Sequence, residues 1–534
     1  MLCWLLLLLP PFLLLVLLLL PTVAPRACPG ASLDWLTGLQ QRVAWGTLGC
    51  VAAWQRHRLE HSTRHASCSQ QQALAWCLRG APGPRGHPRG STDMRTFRNH
   101  LPLTTASQAQ EEESGWQEQH PTSSQYPREA ALQATVLGLA ALSKAYPAVL
   151  APGATARLTP TSPWPRPLLW LGPILGLAGP PGAEDPQALL LAALRSPGLR
   201  ALEAGTATEL LDVFTGLEAH GEELARAIAA GHLGAPLPGR AAELQAALEQ
   251  GPRGLALRLW PQLQVVVTLD AGGQAEAVAA LRALWCQGLA FFSPAFAATG
   301  GALALSLWPD QPQGIYLLAP GAPFLELLPA KEGAPEDDSH TLLLAEAQQG
   351  EEYELVLTDC ACLTRCRLGD VVLVVGTHNQ CPLVRFVYRQ AQTLSVRGEV
   401  TSERLFSKAL HRAVAQWPGA QLLDHCCVES GVLDSSQGSA PRYEVFLDLR
   451  GLRDLSEENR DKLDLCLQDA SPRYKSLRFR GSVGPIQVHL VARGAFGTLR
   501  GTLASWSSPT AAPAMPRILK HRVLAQLLHS RVLS

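Results

Sequence analysis

Apolar residues recur at helical spacing between residues 32 and 80. Leu33, Leu36, Leu39 and Val43 are followed by Leu48, Val51 and Trp54, which predicts helix there. A second helix is expected from about Arg128 to Ala145. A third falls around Leu217 to Ala230, with Leu217, Leu224 and Ile228 on one face. Other stretches read as strands. Val265 to Leu269 has the short apolar run of a buried parallel strand, and Val371 to Val375 is the β-branched run of a strand buried on both faces. Tyr353 to Thr358 and Tyr443 to Leu447 are also β-rich, and Thr401 with Glu403, Arg404 and Leu405 opens a helix that carries Leu410 and Val414. The Pro-, Gly- and Arg-rich segment from Ala81 to Thr92 reads as a loop, and the Pro- and Gly-rich residues 150 to 185 as a connection between helical regions. No solenoid-type repeat is present.

The N-terminus departs from this pattern. Leu5 to Leu20 is an apolar block broken by Pro10-Pro11 and followed by Pro21, Ala24 and Ala27. It reads as a secretory signal peptide over 1–27. It lacks a basic leading segment, so an uncleaved signal anchor stays open beside cleavage. No later stretch is long and apolar enough to span a membrane. The expected address is the endoplasmic reticulum lumen or the nuclear envelope, with secretion open. The chain has 534 residues, a formal net charge of +0, 47% hydrophobic and 17% charged residues. That is a globular composition with room for two or three domains, and it excludes a nucleic-acid footprint. None of Asn99, Asn379 and Asn459 starts a glycosylation sequon. Of the 13 cysteines, Cys360, Cys362, Cys366 and Cys381 lie near His378. Their spacing is not a zinc pattern, and in an extended chain Cys360, Cys362 and Cys366 share one apolar face. A disulfide from Cys426 or Cys427 to Cys466 or Cys381 stays open.

The densest chemistry lies between Gly350 and Arg389. Arg367-Leu368-Gly369-Asp370 stands directly before the 371–375 run. Gly369 permits close backbone approach, and the two acceptor oxygens of Asp370 suit the two hydroxyls of a ribose. The alternative is a turn whose aspartate caps the backbone. Tyr353, Glu354, Leu355, Val356, Thr358, Arg365, Arg367, Gly369, Asp370, Val371, Gly376, His378, Asn379, Pro382, Phe386 and Arg389 together resemble a pattern of the Gretchen Hagen 3 family. These are acyl acid–amido synthetases of the adenylate-forming superfamily. Weaker similarities run through Phe97, Glu222-Glu223-Leu224, Leu259-Trp260-Pro261, Leu394-Ser395-Val396, Gly484-Pro485 and Pro516-Arg517. Phe324 to Pro329 resembles a family strand, in which alternation sets Glu326 opposite its apolar neighbours.

The resemblance implies an α/β fold, with a large adenylate-forming-like N-terminal domain over 28–390 and a smaller, mobile C-terminal domain over 391–534. It implies that a carboxylic acid attacks the α-phosphate of ATP, giving an acyl-adenylate and pyrophosphate, and that an amine then displaces AMP to form an amide. Asp370, Gly369, Arg367 and Arg389 would hold the nucleotide, ATP or AMP, with Mg2+ at the phosphates and a small carboxylic acid as second partner. No resident metal ligand and no catalytic residue is assigned, and no protein partner can be named. Three positions depart from the family. Residues 121 to 127, Pro-Thr-Ser-Ser-Gln-Tyr-Pro, stand where the family has a phosphate loop but lack its glycines; they read equally as an ordinary polar turn before the helix expected from about Arg128. Gly300 stands where a magnesium-holding glutamate is expected, and Ala514 where a lysine is expected. Two readings follow. One is a catalytically degenerate, lumenal relative that keeps nucleoside binding, and the other is an active acid–amino acid ligase.

Overall fold

The computed structural model describes residues 34–80, 97–98, 101–105, 125–151, 153–165, 185–232, 234–298, 301–309, 314–321, 323–330, 340–358, 364–390, 392–433, 440–452, 454–506 and 515–533. The 1–27 leader, residues 121–124, Gly300, Cys360, Cys362 and Ala514 lie outside the described residues. No helix among the described residues is long and apolar enough to cross a membrane.

Four short strands, Thr155–Arg157, Ala201–Ala204, Val265–Thr268 and Ala290–Phe292, form an all-parallel sheet in that order. The alternation of side chains along Val265–Thr268 explains why its apolar run is unbroken. Val265 and Val267 point to one face, where they meet Val136, Leu139 and Leu142 of the helix Gln125–Ala145. Val266 points to the other, among Leu210, Phe214, Trp260 and Trp285. The helix Ala207–Ala230 covers that second face. It is capped by Thr206, whose hydroxyl accepts from the Glu209 amide, and it is longer than the apolar stripe from Leu217 predicted. The 155–157 strand falls inside the segment read as a connection, because its three residues carry too little pattern to register.

An eight-stranded sheet follows. Its main path runs Ala295–Ala298, Gly301–Leu305, Tyr316–Leu317, Cys381–Arg389, Arg365–His378, Glu352–Thr358 and Phe324–Pro329, with Leu103–Thr105 added in parallel to the 365–378 strand. The 371–375 run is antiparallel to both neighbours and is not buried on both faces. Val371, Val372 and Val374 are inaccessible, while Leu373 and Val375 are half-buried. Bulges after Val371 and Val374 twist this strand, so its two faces meet different surroundings.

After Arg389 a hairpin, Thr393–Val396 with Glu399–Ser402, leads into the helix Glu403–Val414. Ser402 caps that helix by accepting from the Leu405 amide. A mixed sheet then orders Gln487–Leu490, Tyr443–Arg450, Gln421–Glu429 and Ile518–Leu519. Helices Glu457–Ala470 and Pro472–Phe479 cover one face, and Ala495–Trp506 and Arg522–His529 the other.

Candidate functional site

The loop after the 265–268 strand, residues 269 to 274, is where the parallel sheet, the eight-stranded sheet and the C-terminal sheet meet. The carboxyl ends of parallel strands are the customary place for ligands in open α/β sheets. Asp270 enters from this loop. Its Oδ1 accepts from the Gly272 amide at 2.9 Å and its Oδ2 from the Tyr316 hydroxyl at 2.8 Å. Burial pushes the Asp270 carboxyl up, and the charge of Asp370 adds to the push. Gly272 has φ +76°, and a Cβ there would meet the Phe386 ring at 2.9 Å, so only glycine lets the loop lie on the 381–389 strand.

Asp370 and Arg389 are cross-strand partners. Arg389 Nε donates to Asp370 Oδ1 at 2.7 Å, and its Nη2 donates to the Ala271 carbonyl at 3.2 Å. One guanidinium therefore fastens Asp370 to the 269–274 loop. The Arg389 amide donates to Glu403 Oε2 at 3.0 Å, which ties the pair to the first turn of the 403–414 helix. Asp370 is 2% exposed. Burial raises its affinity for a proton, and Arg389 opposes that.

Arg367 does not join them. Its guanidinium forks onto Glu354, with Nη2 to Oε2 at 2.7 Å, and the Gly369 amide donates to the same carboxylate at 3.1 Å. Gly369 takes φ +76°, the left-handed region that glycine enters freely. Of the four residues singled out, the structure thus makes two pairs, Asp370 with Arg389 and Arg367–Gly369 with Glu354. Asp270, Tyr316 and Glu403 were not singled out. They stand 54 or more residues from Asp370 in the first two cases, and no local pattern marks them.

Beside this site a buried ionic cluster crosses from the N-terminal to the C-terminal part. Arg517 donates to Asp424, to the His425 and Gly273 carbonyls at 3.0 and 2.9 Å, and pairs with Glu276 at 3.2 Å. Arg500 forks onto Asp212, with Nε to Oδ2 at 2.7 Å, and reaches Asp424 Oδ2 at 2.5 Å. His425 Nδ1 lies 3.0 Å from Glu276 Oε2. Burial alone would raise Glu276 and Asp424, but the neighbouring cations hold both below the usual carboxylate range. Further out, Arg450 grips Glu218 at 2.8 and 3.1 Å.

His378 and the cysteines do other work. His378 Nε2 lies 2.9 Å from Glu60, and the Asn379 amide donates to Glu60 and to Thr63, so this turn docks the helix Asp34–Arg64. Cys381, Cys426, Cys427 and Cys466 are all free thiols, which corrects the disulfide left open among them. Burial pushes the Cys381 thiol up to about 12. Cys77 is the disulfide-bonded cysteine among the described residues.

Family models match three segments. They are vertebrate GH3, N-terminal domain, over residues 217–282, the GH3 family central domain over 316–389, and the GH3 family C-terminal domain over 404–522. A human "GH3 domain-containing protein" is 71% identical over 518 residues, 96% of this chain and 98% of that one. The chain belongs to the Gretchen Hagen 3, or GH3, family. A mouse GH3 domain-containing protein is 67% identical over 95% of both chains. The 4-substituted benzoates-glutamate ligase GH3.12 of Arabidopsis thaliana is 28% identical over 57% of this chain and 54% of its own. The solved structure of a GH3.15 acyl acid amido synthetase superposes with a TM-score of 0.73 at 20% identity, covering 89% of this chain and 95% of that one, so the two share their fold over that span. Within this fold Arg365, one of the family-pattern residues, is structural. It is 1% exposed and holds Glu326 through two 2.9 Å bonds, with Thr341 and the Arg98 and Leu101 carbonyls completing its donors.

Proposed function

We propose that this protein is a lumenal, catalytically degenerate GH3 relative that keeps a nucleoside subsite at Asp370 and Arg389. The observation that carries the reading is the ionic cluster of Arg500 and Arg517 with Asp212, Asp424 and Glu276. A synthetase must turn its C-terminal domain between adenylation and amide formation. Here that turn would break buried ion pairs, at roughly 3–5 kcal/mol for each charge left unpaired. The sequence departures point the same way. A glycine-poor 121–127 segment, Gly300 and Ala514 remove a phosphate cradle, a magnesium ligand and a cation, and losing one preorganised stabilising group already costs about 10²–10³ in rate.

The nucleoside would be held by the ribose hydroxyls on Asp370, with Arg389 orienting the carboxylate. Each charge-assisted bond contributes roughly 1.5–3 kcal/mol. ATP would bind no better than AMP, and Mg2+ would add little. A small carboxylic acid is the second partner the relatives suggest, since one acts on 4-substituted benzoates and another was solved with 2,4-DB. The lumenal address rests on the Leu5–Leu20 block and on the Cys77 disulfide, which an oxidising compartment preserves. Protease treatment of sealed microsomes tests it: the mature chain should survive until detergent is added, and digestion without detergent would refute it.

The second reading, an active amide-forming ligase, is favoured by family membership and by the retained Asp370–Arg389 pair. Pyrophosphate release from ATP and Mg2+ across a panel of aromatic and aliphatic acids decides between them. The degenerate reading predicts none above the acid-free background. Acid-dependent release establishes the ligase.

A further inference from the structure

The C-terminal sheet carries a second constellation, outside the nucleoside site and independent of it. Glu444 lies on the 443–450 strand and His489 on the parallel 487–490 strand, where Glu444 pairs with Gln487 and Phe446 with His489 in register. Period-two alternation therefore puts Glu444, Phe446 and His489 on one face. His489 stacks on Phe446 with ring centroids 5.0 Å apart. His529, the last residue of the helix 522–529, stands edge-on to both, at 6.3 Å from Phe446 and 5.8 Å from His489. That helix is pinned to the sheet by Leu524, Ala525 and Leu528, so three rigid elements aim one donor each at the same point.

The donor atoms of Glu444, His489 and His529 all lie within 4.8 Å of one another. Glu444 Oε2 and His489 Nε2 are 3.2 Å apart. Two ligands on a tetrahedral zinc, each at 2.0–2.1 Å, stand about 3.3 Å apart, so this pair has ligand spacing already. The His529 donor lies within 4.8 Å of both, and its ring is exposed, so side-chain rotation is the adjustment that metal binding requires of it. Arg442 Nη2 lies 3.5 Å from the other Glu444 oxygen, which fixes the carboxylate with Oε2 toward the histidines, as outer-shell partners of metal ligands do. Glu444 and His489 are 1% and 7% exposed. His529 is the exposed member of the three, and a tetrahedral ion would take its fourth ligand from water.

The geometry points to a zinc-class divalent cation site formed by Glu444, His489 and His529. Two imidazoles and one carboxylate select Zn2+ or a similar borderline metal over Mg2+ and Ca2+, which take oxygen ligands. A bound ion would staple the C-terminal helix to the 443–450 and 487–490 strands.

Equilibrium dialysis of the full chain against Zn2+, with metal counted by emission spectroscopy, tests the site. His529→Ala is the informative variant because His529 is exposed and its loss does not empty a core position. Wild type should hold one equivalent more than His529→Ala, whose affinity at this site should fall at least about tenfold. Zn2+ should raise the melting temperature of wild type and not of the variant. Co2+ should give a tetrahedral visible band in wild type alone. Equal stoichiometry in the two proteins, or a Zn2+-dependent stabilisation that survives His529→Ala, would overturn the assignment. His65→Ala serves as the control for surface histidines and should leave all three readouts unchanged.

Discussion

Replacing Arg517 by alanine tests whether the buried junction holds the two parts of the molecule together. Arg517 is 5% exposed, and Asp424 is 2% exposed. Removing the guanidinium deprives Asp424 and Glu276 of a cation and leaves the His425 and Gly273 carbonyls without its donors. Breaking a buried pair by truncating one partner costs roughly 3–5 kcal/mol. Asp424 keeps Arg500 and Glu276 keeps His425, so the loss should sit at the lower end, near ~3 kcal/mol. In a unit the size of the C-terminal domain that is a melting-temperature fall of roughly 6–12 °C. Differential scanning calorimetry at neutral pH reads it. The sign of the pH dependence follows from the depressed carboxyls. Glu276 and Asp424 both sit below their ordinary values, so their contribution is present above the unfolded range and is lost as pH falls through the folded values. The gap between wild type and Arg517→Ala should therefore close in acid. A fall of less than ~1 kcal/mol at neutral pH would mean that the pairs are solvated and worth no more than surface ones, and the locked-junction argument would fail.

Other expectations follow from single groups. Burial raises Glu203 to about 7, against the Trp164 indole and Arg157, which lower it; its contribution is full below the unfolded carboxylate range and lost as pH rises through 7. Glu203→Gln should therefore melt higher than wild type at pH 8, with the gap shrinking toward pH 5; a pH-independent difference would contradict the assignment. Arg365→Ala would leave Glu326, which is 0% exposed, without its bidentate partner, and chemical denaturation should show a loss of roughly 3–5 kcal/mol. Gly272→Ala and Gly273→Ala both place an alanine in the left-handed region, at φ +76° and +67°, but only the first meets the Phe386 ring, so Gly272→Ala should weaken nucleoside binding more than Gly273→Ala; equal effects would rule out the contact.

The apolar pattern disclosed those elements whose burial is one-sided or complete over several residues. The 265–268 strand opens on three consecutive valines because helices cover both of its faces, and the 403–414 helix announces itself through Leu410 and its apolar stripe, with the cap on Ser402, one residue after the Thr401 at which the sequence places its start. The 371–375 run misled because bulges, which leave no compositional trace, turn Leu373 and Val375 partly outward. The site was legible in half. Asp370 and Arg389 sit in one dense motif and pair across one hairpin. Asp270, Tyr316 and the Asp212–Arg500–Asp424–Arg517–Glu276 cluster are assembled from residues up to 305 positions apart, and single charged residues scattered over helices, a strand and loops read as solvated positions until the fold brings them together. Arg367, by contrast, shared the motif with Asp370 but is drawn to Glu354 by the pairing of the 352–358 and 365–378 strands.

The central claim is a nucleoside subsite without a working triphosphate site, and titration calorimetry of the full chain with adenosine, AMP and ATP, each with and without Mg2+, addresses it directly. Similar affinities are expected for the three ligands, with little change on adding Mg2+ and a loss of roughly 1.5–3 kcal/mol in Asp370→Asn for each charge-assisted ribose bond removed; because this change also takes a buried carboxylate from Arg389, the variant's thermal unfolding is recorded beside the titration to show that it is folded. A strong Mg2+-dependent preference for ATP over AMP would contradict it, as would binding that ignores Asp370→Asn.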